Sequence, residues 1–140
     1  MHTIGDCYVN MGYNGRLDKS KRNHAVVIDE AYRVLETGME MIEIIQEVRN
    51  VSENADLREL DMRIGIHTGR VVAGIIGTKV VRYDIFGEGV LIANKMESNG
   101  IPGQVCVSQD TKEILCSYNE ISRRFNFNQH NTVNLTKIGK

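Results

Sequence analysis

The sequence predicts an α+β domain in which a mostly antiparallel sheet has helices packed on one face. The most regular segment runs from His24 to about Val48, and its apolar residues recur at spacings of three and four, as on an amphipathic helix. Short apolar strands follow this segment, and two shorter helical segments alternate with them. Glycine-containing turns separate several of the strands, which is typical of hairpins.

Composition and charge indicate an ordinary globular domain. The chain has 140 residues, of which 41% are hydrophobic and 25% charged, and this length corresponds to one domain. Its 17 basic and 18 acidic side chains nearly cancel, so we expect no nucleic acid partner. No apolar run approaches the ~18 residues of a membrane span, and no signal-peptide pattern is recognisable. The three cysteines lack the paired spacing of a zinc site, which favours a reducing cytoplasmic environment.

The remaining elements are predicted from turn residues and apolar runs. Near the start, "TIGDCYVNMGY" reads as a hairpin with its turn at Gly5-Asp6, and a polar loop leads to the long helix, which Asn23 caps. The later elements are strands at about 62–67 and 70–76 joined by the turn "HTGR", a strand over Val80–Gly87, a helix over Gly89–Ser98 that ends at Asn99-Gly100, a strand in "GQVCVS", a helix in "SQDTKEIL" capped by Ser108, and a closing hairpin from Arg123 onward.

The stretch "RIGIHTGRVVAGIIG", residues 63–77, contains residues that packing alone does not explain. Arg63 stands at the start of a strand whose other residues are apolar or small. Gly74 and Gly77 occupy places where bulkier residues would pack better, so we expect the sheet to bend there or to admit a close backbone approach.

Four motifs in unbroken order resemble the catalytic domains of class III nucleotide cyclases. They are "TIGDCY", "HA" at the start of the long helix, "MRIGIHTGRVVAGIIG" and "YDIFGEGVLIANKMES", and the resemblance extends from residue 2 to about 115. It implies that residues 1–140 form a single partial catalytic domain with the family's ferredoxin-like sheet. It also implies an active site at the seam between two such domains, where ATP or GTP becomes the 3′,5′-cyclic monophosphate and pyrophosphate with the help of two Mg²⁺ or Mn²⁺ ions.

The resemblance assigns roles to four residues. Asp6 matches the second of the family's two metal-binding aspartates, and Ile4 and Gly5 match positions whose backbone lies against the nucleotide. Arg63 matches an arginine that reaches the triphosphate, for which a forked guanidinium is well suited. Without the resemblance, Asp6 would be a turn former and Arg63 a solvated arginine paired with Glu59 or Asp61. His67 reads as a structural histidine beside a turn.

Two departures from the family pattern identify which half of a paired cyclase this chain resembles. The half that supplies a ribose-positioning asparagine and a transition-state arginine has the helix pattern N-x-x-x-R, but the matching residues here are Leu91 and Lys95. Asn94 is typical of the metal-bearing half, so the partner is expected to be a complementary cyclase domain or a second copy. His2 and Asp84 stand at the base-reading positions without matching one code, so adenine and guanine stay open, and Asp84 is better read as structural.

The family's first metal aspartate lies upstream of the position of Asp6, so we expect this chain to be either a fragment of a metal-bearing half or a remnant that cannot cyclise, and to be inactive alone. We also expect the surface facing the partner to be apolar. One alternative is a catalytically inactive cyclase-like scaffold, and another is an interaction module with no nucleotide history. Because "VLIANKMESNG" is similar to protozoan cyclases, a membrane tether outside this sequence and a position on the cytosolic side of a membrane are also expected.

Overall fold

The structure, a computed structural model, describes residues 2–4, 7–12 and 24–130. Its elements alternate strands and helices much as the sequence predicts. In chain order they are β1 (His2–Ile4), β2 (Cys7–Val9), α1 (His24–Val51), α2 (Ala55–Arg58), β3 (Arg63–Ile66), β4 (Val72–Ile76), β5 (Arg82–Phe86), α3 (Glu88–Ser98), β6 (Gln104–Val107), α4 (Gln109–Cys116) and α5 (Asn119–Arg124).

The strands form three two-stranded sheets, and the predicted α+β class is confirmed. The pairs β1–β2 and β4–β5 are antiparallel, whereas β3 and β6 are parallel, with Arg63 opposite Gln104 and Ile66 opposite Val107. The strands flanking "HTGR" therefore do not pair with each other, contrary to the hairpin that this turn suggests. Parallel strands need a crossover connection, and the chain between β3 and β6 supplies it through α3.

Helix α1 covers one face of the β3–β6 pair and forms the core with it. Its buried residues are spaced four, three and four apart: Ala31, Leu35, Gly38 and Ile42. A Cβ built on Gly38 would lie 3.4 Å from Cγ2 of Ile64 and 3.6 Å from Cγ2 of Val105, so the helix passes close above both strands. The buried core consists of Ala31, Leu35, Ile66, Leu115 and Ile121.

Helix α3 lies against the opposite face of β3. Successive residues of a strand face opposite sides, so Gly65 is on this face, whereas Ile64 and Ile66 are on the face that α1 covers. A Cβ on Gly65 would lie 2.1 Å from the backbone nitrogen of Glu97 and 2.5 Å from the carbonyl oxygen of Ala93. Real Cβ atoms do not approach backbone atoms so closely, so the contact requires glycine. Helices therefore contact both faces of β3, whereas the sequence predicts them on one face of the sheet.

The end of the described chain differs from the predicted closing hairpin. Arg123 and Arg124 belong to α5, and residues 125–130 contain no strand. Phe125 and Phe127 alternate with asparagine as in a strand, but they pack against the core instead, and the ring of Phe125 lies 6.0 Å from that of Tyr32. The rest of the predicted hairpin and the predicted cap Asn23 lie outside the described residues.

Local end signals were more reliable than predicted pairings. Helix α3 ends at Ser98 with Asn99 as its C-cap, as predicted. The Ser108 side chain accepts a hydrogen bond from the backbone nitrogen of Thr111, which confirms it as the N-cap of α4. Helix α1 extends three residues beyond its predicted end, to Val51.

We expect Gly65→Ala to lower the free energy of unfolding by about 3 kcal/mol, because the added methyl group would push β3 and α3 apart. Gly74→Ala is the matched control, since a Cβ there would meet nothing within 4 Å, and we expect a change below about 0.5 kcal/mol. Urea denaturation followed by circular dichroism measures both. Equal effects of the two substitutions would contradict the close contact between the strand and the helix.

Candidate active site

Arg63, the candidate triphosphate ligand, is held by Glu97, a carboxylate to which the sequence motifs assign no role. Its Nε donates to Oε1 of Glu97 at 3.0 Å, and its side chain is 45% exposed. The suggested pairing with Glu59 or Asp61 is wrong, because Asp61 instead accepts from Nη1 of Arg49 at 3.1 Å. The structure thus places an accessible guanidinium at the start of β3 with one edge already engaged.

The hairpin that carries the other predicted site residues is only partly described. Ile4 ends β1 and pairs with Cys7, as expected for a turn at Gly5-Asp6. Gly5 and Asp6 themselves lie outside the described residues. Within the described ranges, no group of three His, Cys, Asp or Glu side chains is placed to hold a metal ion.

The two glycines of β4 and its following turn behave differently. Gly77 has φ +124°, and a Cβ there would lie 1.9 Å from the carbonyl oxygen of Val80. Glycine is therefore required for the turn that leads towards β5, as expected from the sequence. At Gly74, by contrast, a Cβ would have no other atom within 4 Å, so no close approach within the described part of the chain explains this glycine.

Asp84, one of the two positions that the resemblance matches to base-reading residues, is buried and already engaged. It is 3% exposed, its Oδ1 accepts from the backbone nitrogen of Ile85 at 3.0 Å, and its Oδ2 lies 3.5 Å from Nε of Arg82. These contacts support the structural interpretation of Asp84. The side chain of His2, the other of these two positions, lies outside what the structure describes.

The positions that would carry the ribose asparagine and the transition-state arginine lie on α3. Leu91 and Lys95 are separated by one helical turn and are both exposed, and Asn94 beside them is exposed as well. Leucine has no hydrogen-bonding group, and the lysine ammonium lacks the fork of an arginine. This face of α3 therefore lacks the asparagine and the arginine that the resemblance assigns to a complementary half.

His67 stands at the end of β3 and joins it to α4 through hydroxyl groups. Its Nδ1 lies 2.8 Å from Oγ of Ser108, which lies 3.0 Å from Oγ1 of Thr111. Thr111 accepts from the backbone nitrogen of Thr68 at 2.7 Å and donates to the Thr68 hydroxyl at 3.2 Å. With Thr111 donating to Thr68, Ser108 donates to Thr111 and accepts from a protonated Nδ1 of His67.

The protonation of His67 is affected by its surroundings. Burial lowers the pKa of His67 from its ordinary value of 6.5, while the nearby carboxylates of Asp110 and Glu88 act in the opposite direction. The neutral ring is thus favoured in the folded chain, and its Nδ1 is occupied by Ser108. This arrangement supports the structural interpretation of His67 over a role as a catalytic base.

The β4–β5 hairpin exposes large apolar side chains. Beyond the pairing of its own strands, its main contact is between β5 and α3. Single exposed apolar residues are ordinary, but a contiguous group of them indicates an interaction surface. Ile75 (73% exposed) and Tyr83 (59%) lie directly opposite each other across β4 and β5 and so share one face of the hairpin. We call these two residues, together with Val80 (78%) and Val81 (63%) just before β5, the hairpin surface.

The helices of the described residues do not meet the requirements of a membrane span. None of them combines the length and the apolar character that crossing a bilayer demands.

Comparison with known proteins identifies the family. The family model described as "Adenylate and Guanylate cyclase catalytic domain" matches residues 1–140, and the chain belongs to this family. It is 41% identical over 131 residues to "Guanylate cyclase alpha" of Plasmodium falciparum, which covers 94% of this chain and 3% of that protein. It is 41% identical over 115 residues to "Guanylyl cyclase, membrane" of Dictyostelium discoideum, which covers 82% of this chain and 7% of that protein.

A solved structure supports the same assignment. The guanylate cyclase domain of RhGC from Catenaria anguillulae, in complex with GTP, matches with a TM-score of 0.54 and 28% identity over 62% of this chain and 46% of that one. The resemblance to class III nucleotide cyclases is therefore confirmed. Domains of this family work in pairs on a nucleotide substrate and generally use Mg²⁺ or Mn²⁺. The chain spans less than a tenth of the length of the two relatives named, so their activities do not by themselves establish the activity of this chain.

The lowered pKa of His67 predicts how stability depends on pH. Because the folded chain binds its proton less readily than the unfolded chain, the contribution of His67 is fully present above pH 6.5 and is lost as pH falls through the lower folded pKa. We expect the urea concentration at the unfolding midpoint to decrease as the pH is lowered below 6.5. We expect this decrease to be smaller in His67→Gln. The control is His24→Gln at an exposed position. A pH profile that is the same in His67→Gln as in the wild type would contradict a half-buried histidine that stays neutral in the folded chain.

Proposed function

We propose that this chain is the metal-bearing half of a purine nucleotide cyclase. Such an enzyme converts ATP or GTP to the 3′,5′-cyclic monophosphate and pyrophosphate at an interface with a complementary half. The observation that supports the proposal most directly is Arg63, an accessible guanidinium at the start of β3 in a chain of the cyclase family. The motif "TIGD" supports it from the sequence, since it places an aspartate where the family binds metal.

Each proposed site residue has a distinct task. Asp6 supplies a carboxylate, a ligand type that Mg²⁺ and Mn²⁺ prefer. Two such ions, when bound, neutralise triphosphate charge and favour loss of the ribose 3′-OH proton. The backbone of Ile4 and Gly5 lies along the nucleotide, and Arg63 donates to triphosphate oxygens. Of these groups, only the Arg63 side chain and the backbone of Ile4 are among the described residues.

The requirement for a complementary half follows from α3. Leu91 cannot orient a ribose, and Lys95 cannot form the two parallel hydrogen bonds of an arginine with a phosphate. Both side chains are exposed on α3. A second domain must therefore bring the asparagine and arginine to the nucleotide, and a second copy of this chain would bring the same leucine and lysine.

We assign the hairpin surface to the complementary cyclase domain. Within the described part of the chain, no helix or sheet packs over the exposed apolar residues of the hairpin. Exposed apolar side chains do not stabilise an isolated domain, and a group of them indicates a surface that another protein covers. Since domains of this family work in pairs, a second cyclase domain is the occupant that the family relationship supports.

The location of the domain follows from its substrate and its relatives. Nucleoside triphosphates are available in the cytoplasm, and one relative is named a membrane guanylyl cyclase. We therefore place the domain in the cytoplasm, on the cytosolic side of a membrane when a larger protein tethers it.

A second candidate function is that of a catalytically inactive cyclase-like subunit. Leu91 and Lys95 favour it, because an unpaired copy of this chain lacks two groups that the reaction needs. Arg63 favours the active half, since a scaffold has no need for an accessible arginine supported by a carboxylate.

The proposed activity is tested by product formation. Residues 1–140 alone should yield no cyclic nucleotide from GTP or ATP with Mn²⁺, whereas the full-length protein that contains this sequence, paired with a complementary domain, should do so. In that pair Asp6→Ala should abolish turnover, because losing a carboxylate from a two-metal site raises the barrier by several kcal/mol. Arg63→Ala should mainly raise KM, and Arg63→Lys should recover part of the loss.

Circular dichroism of each variant serves as the control for folding. Near-normal rates in Asp6→Ala would remove the metal role and make the scaffold the leading function. Turnover by residues 1–140 alone would instead overturn the assignment to a half that needs a partner.

The hairpin surface is tested by association. We expect Ile75→Glu to weaken binding to the complementary domain at least about tenfold, because a charge would be buried at an apolar interface. Val51→Glu is the matched control, since Val51 is 80% exposed at the end of α1, away from the hairpin. Analytical ultracentrifugation measures both variants. The assignment would be contradicted if both substitutions weakened binding equally. It would also be contradicted if the wild-type chain stayed monomeric when mixed with a complementary cyclase domain.

A further inference from the structure

We propose that Glu97 is the positioning residue for Arg63: it holds the Nε edge of the guanidinium so that the two terminal nitrogens face an anionic substrate. The inference deepens the proposed function and depends on the triphosphate role of Arg63. It concerns a residue inside the motif "YDIFGEGVLIANKMES" to which the resemblance assigns no role, and which lies 34 positions away along the chain.

The first step is the geometry of the contact. The guanidinium has two usable edges, one formed by Nε and a terminal nitrogen and the other by both terminal nitrogens. Glu97 Oε1 accepts from Nε at 3.0 Å, and this is the guanidinium's only hydrogen bond to the described residues. A carboxylate at Nε leaves the terminal edge for a phosphate, which can accept two parallel hydrogen bonds. The Arg63 side chain is 45% exposed, so the terminal edge is accessible.

The second step is that Glu97 is itself held in place. A Cβ built on Gly65 would lie 2.1 Å from the backbone nitrogen of Glu97, so α3 packs directly against β3 close to Arg63. Oε2 of Glu97 lies 3.2 Å from the hydroxyl of Ser98, and the Glu97 side chain is only 19% exposed. The single Ser98 hydroxyl proton is also directed at the carbonyl oxygen of Asn94, at 2.9 Å, so Glu97 is held mainly by its backbone and its burial. A carboxylate held in this way can orient a long, flexible side chain, which otherwise samples many rotamers.

The third step concerns charge. Glu97 offsets part of the attraction between Arg63 and a triphosphate, so its presence is useful only if orientation outweighs that loss. Because the two anions would use different edges of the guanidinium, the triphosphate need not displace Glu97. The opposite arrangement is a lock, in which Glu97 competes with the substrate for Arg63. The two arrangements predict opposite changes in KM when Glu97 is truncated.

The experiment is a double-mutant cycle in the full-length protein with its complementary domain. We expect Glu97→Ala to raise the KM for the nucleotide about tenfold with a smaller change in kcat, because a mispositioned arginine binds the triphosphate poorly. Glu97→Gln should stay within about threefold of wild type, since its amide oxygen still accepts from Nε. In an Arg63→Ala background, Glu97→Ala should have no further effect on KM.

The control is Glu36→Ala, which breaks a different ion pair, the one between Glu36 and Arg124 at 3.0 Å, and should leave KM unchanged. An additive effect of Glu97→Ala in the Arg63→Ala background would overturn the proposal in favour of a purely structural role. A lower KM in Glu97→Ala would overturn it in favour of a lock.

Binding of the α,β-methylene analogues of GTP and ATP, measured by calorimetry on the same variants, separates this inference from the proposed function. A protein that binds an analogue but forms no cyclic nucleotide disproves the cyclase activity, and the same cycle on Kd then decides the role of Glu97. A wild-type protein that forms no product and binds neither analogue would overturn both.

Discussion

The contact between β3 and α3 at Gly65 is the constraint on which the rest of the structure depends. Any side chain at this position would collide with the backbone of Glu97, so glycine sets the distance between the strand and the helix. With α3 on that face, Ile64 and Ile66 are free to face α1 and form the core. The same contact brings the Glu97 carboxylate to Arg63, so one glycine serves both the packing of the domain and the candidate site.

The parallel pairing of β3 with β6 has a second consequence, at the opposite end of the two strands. Parallel strands end at the same edge, so His67 and Ser108, which follow β3 and β6, lie side by side. Ser108 is also the N-cap of α4, and its backbone nitrogen donates to the carbonyl oxygen of Ile66. The hydroxyl of Thr111 completes the network by joining the chain after β3 to α4. Buried polar groups are thus satisfied, and the strand edge is fixed to the helix behind it.

The sequence predicted local structure better than contacts between distant residues. The extent of α1, the end of α3 at Asn99 and the cap at Ser108 follow from periodicity and end signals that act within a few residues. The parallel partner of β3 could not be predicted, because the turn "HTGR" favours a hairpin locally and the competing strand lies far along the chain. The α+β class survives such an error, since it depends on the types of elements and not on their pairing.

In the candidate site, too, the residue within a local motif was predicted and its distant partner was not. The "MRIGIHTG" motif selected Arg63 and implied its ligand class, since a motif records chemistry that is local in sequence. Its partner was missed, because Asp61 and Glu59 are near in sequence whereas Glu97 is near only in space. A charged residue facing a close helix–strand contact, here opposite Gly65, is a signal that could have found it, but only once the strand and the helix were known to touch.

The apolar side chains of the core are buried within the described chain, whereas those of the hairpin surface are not. The core residues are buried by other parts of the chain, and the polar side chains of Ser108 and Thr111 hydrogen-bond to the residues that follow β3. The apolar side chains of the hairpin obtain no such burial from the described residues, although β4 and β5 pair along their whole length. Local fold stability therefore does not require these side chains to be apolar, since polar residues would pair equally well in a solvated hairpin. A second surface packed on them would account for their apolar character, and the proposed division of catalytic groups between two cyclase domains requires such a surface.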